Sequence, residues 1–196
     1  MPRVVDGDER RAELIAATSA EIASRGLANV TLRSVARARG WTTGIVTHYF
    51  ADKRELLMAT FRERADRARR HIEEQVATGI PLLDAAVDAA LPVDDERMLD
   101  WRVFLAYMGA AIGEEELDAL LRDRQQRYHD TLREGILDEI GAGRLPVDVD
   151  PDHGSTRLLA TLNGVATLAV LTPDRWPPAI QRAVVAEHLA ALGRTR

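Results

Sequence analysis

Apolar positions along this chain recur at intervals of three and four, and no stretch of any length alternates apolar with polar. That period belongs to helices with one buried face, so the chain reads as all-α with about nine helices. Residues 7–25 carry Leu14, Ile15, Thr18 and Ile22 as one stripe, and Gly26 follows where a helix can end in a left-handed residue. Leu27 and Val30 turn back toward the core. Two short helices are expected within 31–50. Leu32, Val35 and Ala36 face inward from the first, and Val46 and Phe50, four apart, from the second. Thr31 can cap the first, Gly40 allows the turn, Trp41 can plug the gap between the helices, and Thr42 or Thr43 can cap the second. Asp52 then caps a helix from Lys53 to about residue 78. It starts apolar with Leu56, Leu57 and Phe61 and continues as the polar run RERADRARRHIEEQ, which reads as a strut. Further helices are expected at 82–91, 95–111, 114–140, 151–171 and 179–192. Gly79 with Pro81, Pro92, Gly141 with Gly143, RLPVDVDP and TPDRWPP separate them.

The last two of these helices are apolar on more than one face. A monomer rarely exposes such surface, so they are expected to meet their copies across a two-fold axis as a four-helix bundle. Leu158, Leu162, Val165, Val184 and Leu189 are the expected contacts.

The stretch TLRSVARARGWTTGIVTHYF has the spacing of a helix-turn-helix: small Ala36, Gly40 four residues on, and apolar Val46 six after that. Such a motif lays its second helix in the major groove of DNA. The face opposite Val46 and Phe50 carries Thr43, Gly44, Ile45, Thr47 and His48. Thr43, Gly44 and Ile45 are slim enough to reach base edges, and an isoleucine can touch a thymine methyl. With the flank that follows, GIVTHYFADKRELL resembles the end of the DNA-binding domain of TetR-family transcriptional regulators. Within that family it is most similar to the subgroup of choline-responsive repressors of betaine synthesis, where G-I-[VI]-[ST]-H-Y-F is typical. The resemblance is specific over about residues 10–62 and one of pattern beyond: Trp101 to Phe104, an Arg-rich long helix, and Leu162-Asn163-Gly164. Asn163 stands where Asp is usual, and Thr47 where many members have Tyr, which shortens or removes a phosphate contact. The resemblance implies that Thr31, Arg33, Thr47, His48, Tyr49 and Lys53 contact or flank phosphates, with Thr42 at the entry of the reading helix. It also implies a DNA-binding domain over 1–52, a connecting helix over 53–78, and an effector-binding and dimerisation domain over 79–196.

Charge sharpens this. The chain carries a net −5, yet residues 1–71 hold +5 and residues 72–196 hold −10. Between Arg25 and Arg54 there are six basic residues and one acidic, Asp52. A local basic field coinciding with the motif suits selective DNA binding. Cysteine is absent, which rules out disulfides and thiolate chemistry. No apolar run approaches a membrane span, and the first residues show no apolar signal core, so a cytoplasmic location without membrane association is expected.

Six of the nine aromatic residues fall between Trp101 and Trp176. Met98, Trp101, Phe104, Leu105, Met108, Tyr128, Asn163, Thr167 and Trp176 are the expected lining of a pocket for a small-molecule effector, against ordinary core as the alternative. Tyr107 joins Trp101, Tyr128 and Trp176 as candidates for a cage around a quaternary ammonium, though spacing does not bring them together. Arg102 and Arg133 could equally hold an acidic effector. No G-x-S-x-G, P-loop or H-E-x-x-H is present, and the five histidines have no metal spacing, so neither an enzyme nor a cofactor or metal site is expected. The sequence therefore points to a homodimeric regulator, most simply a repressor, that binds a palindromic double-stranded operator and is released by an effector. A helical enzyme and a dimeric interaction module with a non-functional DNA head are the competing classes.

Overall fold

The computed structural model describes residues 7–193. Residues 1–6, which begin the expected DNA-binding domain and the stretch read for a signal core, lie outside the described residues. Among the described residues there are nine α-helices and no strand: α1 Gly7–Arg25, α2 Leu32–Ala38, α3 Thr43–Tyr49, α4 Lys53–Ala77, α5 Leu82–Ala90, α6 Asp95–Ala111, α7 Glu115–Gly141, α8 Pro151–Leu171 and α9 Pro178–Ala191. Every helix lies within one or two residues of its expected bounds. Two 3-10 turns, Leu27–Asn29 and Pro173–Arg175, were not expected. Each is three residues long, too short to carry a period, and each follows a local constraint: Gly26 at φ 77° in one, Pro173 in the other.

The chain forms two compact units, one from residues up to Asp66 with Arg102–Asp118, the other from Arg67–Trp101 with Ala119 onward. In the first, α1, α2 and α3 bury Leu14, Ile22, Val30, Val35, Val46 and Phe50, joined by Leu56 and Phe61 of α4. Buried hydroxyls return their protons to the helix backbone: Thr18 to Leu14 O at 2.7 Å and Thr60 to Leu56 O at 2.8 Å. Ser19 does the same to Ile15 O and accepts from Arg64 Nε at 2.9 Å. Asp52 caps α4 as expected, its Oδ1 accepting from Glu55 N at 2.8 Å. From α6, Tyr107 is fully buried, donates to Leu57 O at 2.6 Å and lies 5.0 Å from the Phe61 ring. Burial pushes its phenol well above the ordinary tyrosine range.

The second unit centres on Leu83, Ala86, Leu132, Ile136, Leu158, Leu162, Val165, Val185 and Leu189. Asp150 caps α8 by accepting from Asp152 N and His153 N at 3.0 and 3.3 Å, and Pro151 follows where its missing N–H costs nothing. Glu139 is wholly buried at the end of α7, and both its oxygens are held by Arg144, with contacts as short as 2.6 Å.

The expected dimer seam needs correction. Leu158, Leu162, Val165 and Leu189 are sealed in this chain's own core, and Val184 packs partly against it, so they present little to a second copy. The opposite faces are left outward: Ala160, Gly164, Leu168 and Leu171 on α8, and Ala179, Ala183, Ala186 and Ala190 on α9. Helices apolar on both sides give no sign in the sequence of which side turns inward.

Within this unit α7 and α5 approach closely at Gly135. A Cβ there would stand 2.9 Å from both Leu83 Cα and Leu83 N, backbone atoms that cannot rotate aside. Gly135→Ala is therefore expected to destabilise the fold by about 1–3 kcal/mol, the usual range for overpacking. Urea unfolding measures this; a stability equal to the native protein's would show that the helices part without cost.

Candidate functional site

The helix-turn-helix is assembled from local backbone chemistry. Thr31 and Ser34 form a reciprocal cap, Ser34 N donating to Thr31 Oγ1 and Thr31 N to Ser34 Oγ, both at 3.0 Å. At the other end of α2, Trp41 N donates to Ala36 O at 2.9 Å and Gly40 N to Arg37 O at 3.1 Å. This double closure needs a left-handed residue, and Gly40 supplies it at φ 69°. Ala36 is buried, as its small size allows.

Val46 and Phe50 are 0% and 1% exposed and anchor α3. Thr42, Thr43, Gly44, Thr47 and His48 are exposed, while Ile45 and Tyr49 are half-buried. Thr42 takes the N-cap position, but its side chain makes no capping hydrogen bond, contrary to the cap expected from Thr42 or Thr43. The Thr47 hydroxyl already points its proton at the helix backbone, 3.3 Å from Thr43 O and 3.2 Å from Gly44 O. Offering that proton to a phosphate requires it to turn. Tyr49 lies edge-on to His48 at 5.0 Å, and its ring sits 3.9 Å from where a Cβ on Gly7 would be.

The basic field is partly committed. Arg25 pairs with Glu21 at 3.6 Å, Arg39 with Glu13 at 3.3 Å, and Arg54 with Glu116. Lys53 donates to Ala28 O at 3.0 Å. Arg33 and Arg37 are exposed on α2 with no ion pair among the described residues. Arg37 does not stand out in the sequence, although its distance of four from Arg33 puts both on one helical face.

The expected effector residues divide between the units. In the second, Trp101 is 8% exposed and donates its indole N–H to Ala90 O at 2.7 Å. Tyr128 donates to Ala86 O at 2.5 Å, and burial raises its phenol pKa. Trp176 packs on the core, and Met98, Asn163 and Thr167 are half-buried. In the first unit, Phe104 is buried 6.5 Å from the Phe61 ring, Leu105 is half-buried and Met108 is exposed. Arg133 is engaged by Asp152 at 2.7 Å, and Arg102 is exposed. Arg124, one helical turn before Tyr128, is hidden in the sequence among the many arginines. Burial pulls its pKa down to about 10 against the opposing influence of Tyr128 and Asp100. Ser155 Oγ lies 2.8 Å from His129 Nε2, but Ser155 is fully buried, so the pair clamps α7 to α8 and offers no nucleophile.

One polar hub joins four helices of the second unit. Asp88 on α5 accepts from Arg97 of α6 at 2.7 Å and from Gln75 of α4 at 3.2 Å, with His71 of α4 at 3.6 Å and Arg182 of α9 at 3.9 Å. Burial alone would raise the Asp88 pKa, but hydrogen bonds from Arg97 and Gln75 and the Arg97 charge outweigh it and hold it below the ordinary 3.8. A depressed carboxylate adds stability above its unfolded pKa and loses it as pH falls through the folded one. Asp88→Asn is therefore expected to lower stability at neutral pH and to flatten its decline below pH 3.8. Urea midpoints measured down the acid range check this, and parallel declines in both proteins would refute it.

Two families match successive stretches of the chain. Residues 14–60 match the family described as bacterial regulatory proteins, tetR family, and residues 80–194 match the family described as BetI-type transcriptional repressor, C-terminal. The HTH-type transcriptional regulator BetI of Burkholderia mallei is 35% identical over 136 residues, covering 67% of this chain and 70% of that protein. The regulator PksA of Bacillus subtilis is 24% identical, covering 98% of this chain and 94% of its own. Among solved structures, a transcriptional regulator from Rhodococcus sp. Rha1 superposes with a TM-score of 0.79 at 25% identity, over 93% of this chain and 95% of that one. A regulator from Saccharomonospora viridis in complex with choline gives 0.82 at 21% identity, over 93% and 96%, and shares the fold.

Proposed function

Because the chain belongs to the TetR family of transcriptional regulators, with a C-terminal region of the BetI repressor type, we propose that it is a cytoplasmic, homodimeric repressor that binds a palindromic operator and is released by a small organic effector. The observation that carries this reading is the ridge of α3. Thr43, Gly44, Thr47 and His48 are held outward by the buried Val46 and Phe50, while Ile45 stands half-exposed beside them. Thr43, Gly44 and Ile45 meet base edges; Thr31, Arg33, Thr42, His48, Tyr49 and Lys53 meet or flank phosphates. Thr47 joins them once its hydroxyl turns.

The second copy packs on the outward faces of α8 and α9. Leu168 and Leu171 are 41% and 67% exposed, and the small residues beside them let helices approach closely. The effector lies in the C-terminal domain, with Met98, Trp101, Tyr128, Asn163, Thr167 and Trp176 as its contacts in the second unit. It acts by binding more tightly to a form whose paired reading helices no longer match the groove spacing. No helix among the described residues is long and apolar enough to cross a membrane.

Selection from randomised duplexes, with the retained DNA sequenced, tests the function. An inverted repeat is expected, with half-site centres roughly 34–36 Å apart or a multiple of that. Ile45→Ala should relax the base preference in each half-site. Retention of DNA without any repeated element would overturn the reading. Leu168→Glu tests the seam: two like charges placed against each other are expected to yield monomers by sedimentation, with weakened operator binding. A dimer of native affinity would place the interface elsewhere.

A further inference from the structure

Two arginines from separate parts of the chain converge on one ring. Arg10 of α1 lies 5.1 Å and Arg39, just past α2, 5.7 Å from the centre of Trp41, the residue two places before α3. Cation–π attraction holds both guanidinium groups at the entrance to the reading helix. A guanidinium lying over a ring engages through its flat face and keeps its N–H donors along its edge, free for a planar or tetrahedral oxyanion. Among the described residues, Glu13 pairs with Arg39 at 3.3 Å. That ion pair engages Arg39 on one side and leaves the stacking of both guanidinium groups on Trp41 in place. Between Arg25 and Asp52 the chain places no acidic residue, while Asp8, Glu9 and Glu13 flank Arg10. The fold draws two like charges onto one ring, which suits a site completed by an anion from outside.

We propose that Arg10 and Arg39, positioned by Trp41, form a phosphate-binding pair that grips the DNA backbone beside the reading helix. The proposal rests on the DNA-binding reading and adds two residues and a device to it. Trp41 acts here as a platform, beyond the gap-filling role its position first suggests. It is half-buried, so part of the ring serves the turn and part serves the arginines.

The test uses the full-length protein and a labelled duplex of mixed sequence, titrated over a range of salt. Removing one phosphate-binding cation reduces the steepness of log affinity against log salt by roughly 0.9. Arg10→Gln and Arg39→Gln are each expected to reduce it by that amount per subunit and to weaken binding several-fold at low salt. Arg10→Lys, which keeps the charge, restores most of the slope. Glu13→Gln, which frees Arg39, tightens binding more than Glu9→Gln, a change of equal charge elsewhere on α1. Circular dichroism melts confirm folding; if a glutamine variant melts early, the Glu13 and Glu9 pair decides. Native slopes in folded glutamine variants, or equal effects of the two glutamate changes, would overturn the proposal and leave the DNA-binding reading intact. Absence of duplex binding by the native protein would overturn both.

Discussion

A seven-residue helix cannot hold itself together in water, since nucleation costs more than so few hydrogen bonds return. The existence of α3 therefore depends on sinking Val46 and Phe50 into the core beneath it, and everything the ridge does follows from that burial. The same constraint explains its composition. The inward positions must be apolar and well fitted, while Thr43, Gly44, Thr47 and His48 stand exposed and are not held to that constraint. Burial and exposure are thus divided between the faces of one short element. The reciprocal Thr31–Ser34 cap and the double closure at Gly40 do for α2 what length does for longer helices.

Electrostatics works under a similar division. A net −5 on the whole chain repels nucleic acid at long range, so the basic window must act locally, within about a Debye length of ~8–10 Å. Counting its cations overstates the field, because Arg25, Arg39 and Arg54 are paired with carboxylates and Lys53 is bonded to a carbonyl. The exposed Arg33 and Arg37, with Arg10 from outside the window gathered on Trp41, carry what remains. A field built from few, well-placed cations favours contact geometry over indiscriminate attraction.

The helices were legible because their ends are chemically marked. Asp52, Asp150, Gly26, Gly40, Pro151 and Pro178 each fix a boundary by capping, by a left-handed turn or by a missing N–H, and the apolar period fills the space between. What the sequence could not show is non-local. Asp88 looks like any surface carboxylate until α4, α6 and α9 bring Gln75, Arg97 and Arg182 around it. Arg10 lies thirty-one places from Trp41 in the chain, and no period links them. The inward sides of α8 and α9 were undecidable for a different reason: Leu158 and Leu171 are the same residue type on opposite faces, and only packing assigns one to the core.

That contrast bears on how far family membership reaches. The reading head is constrained by an unvarying partner, the DNA duplex, so its backbone closures and anchors are readable in one sequence. The effector half answers to a small molecule whose chemistry the fold leaves open. Its aromatic residues are not spare: Trp101 and Tyr128 spend their polar tips on α5 carbonyls, and Tyr107 belongs to the other unit, where its hydroxyl holds Leu57 O. A cage for a quaternary ammonium would have to use ring faces alone, with the half-buried Arg124 charge one turn from Tyr128 opposing a cationic guest. The family likeness therefore carries the mode of action to this chain, while side chains such as Arg124 are particulars that the shared fold does not dictate.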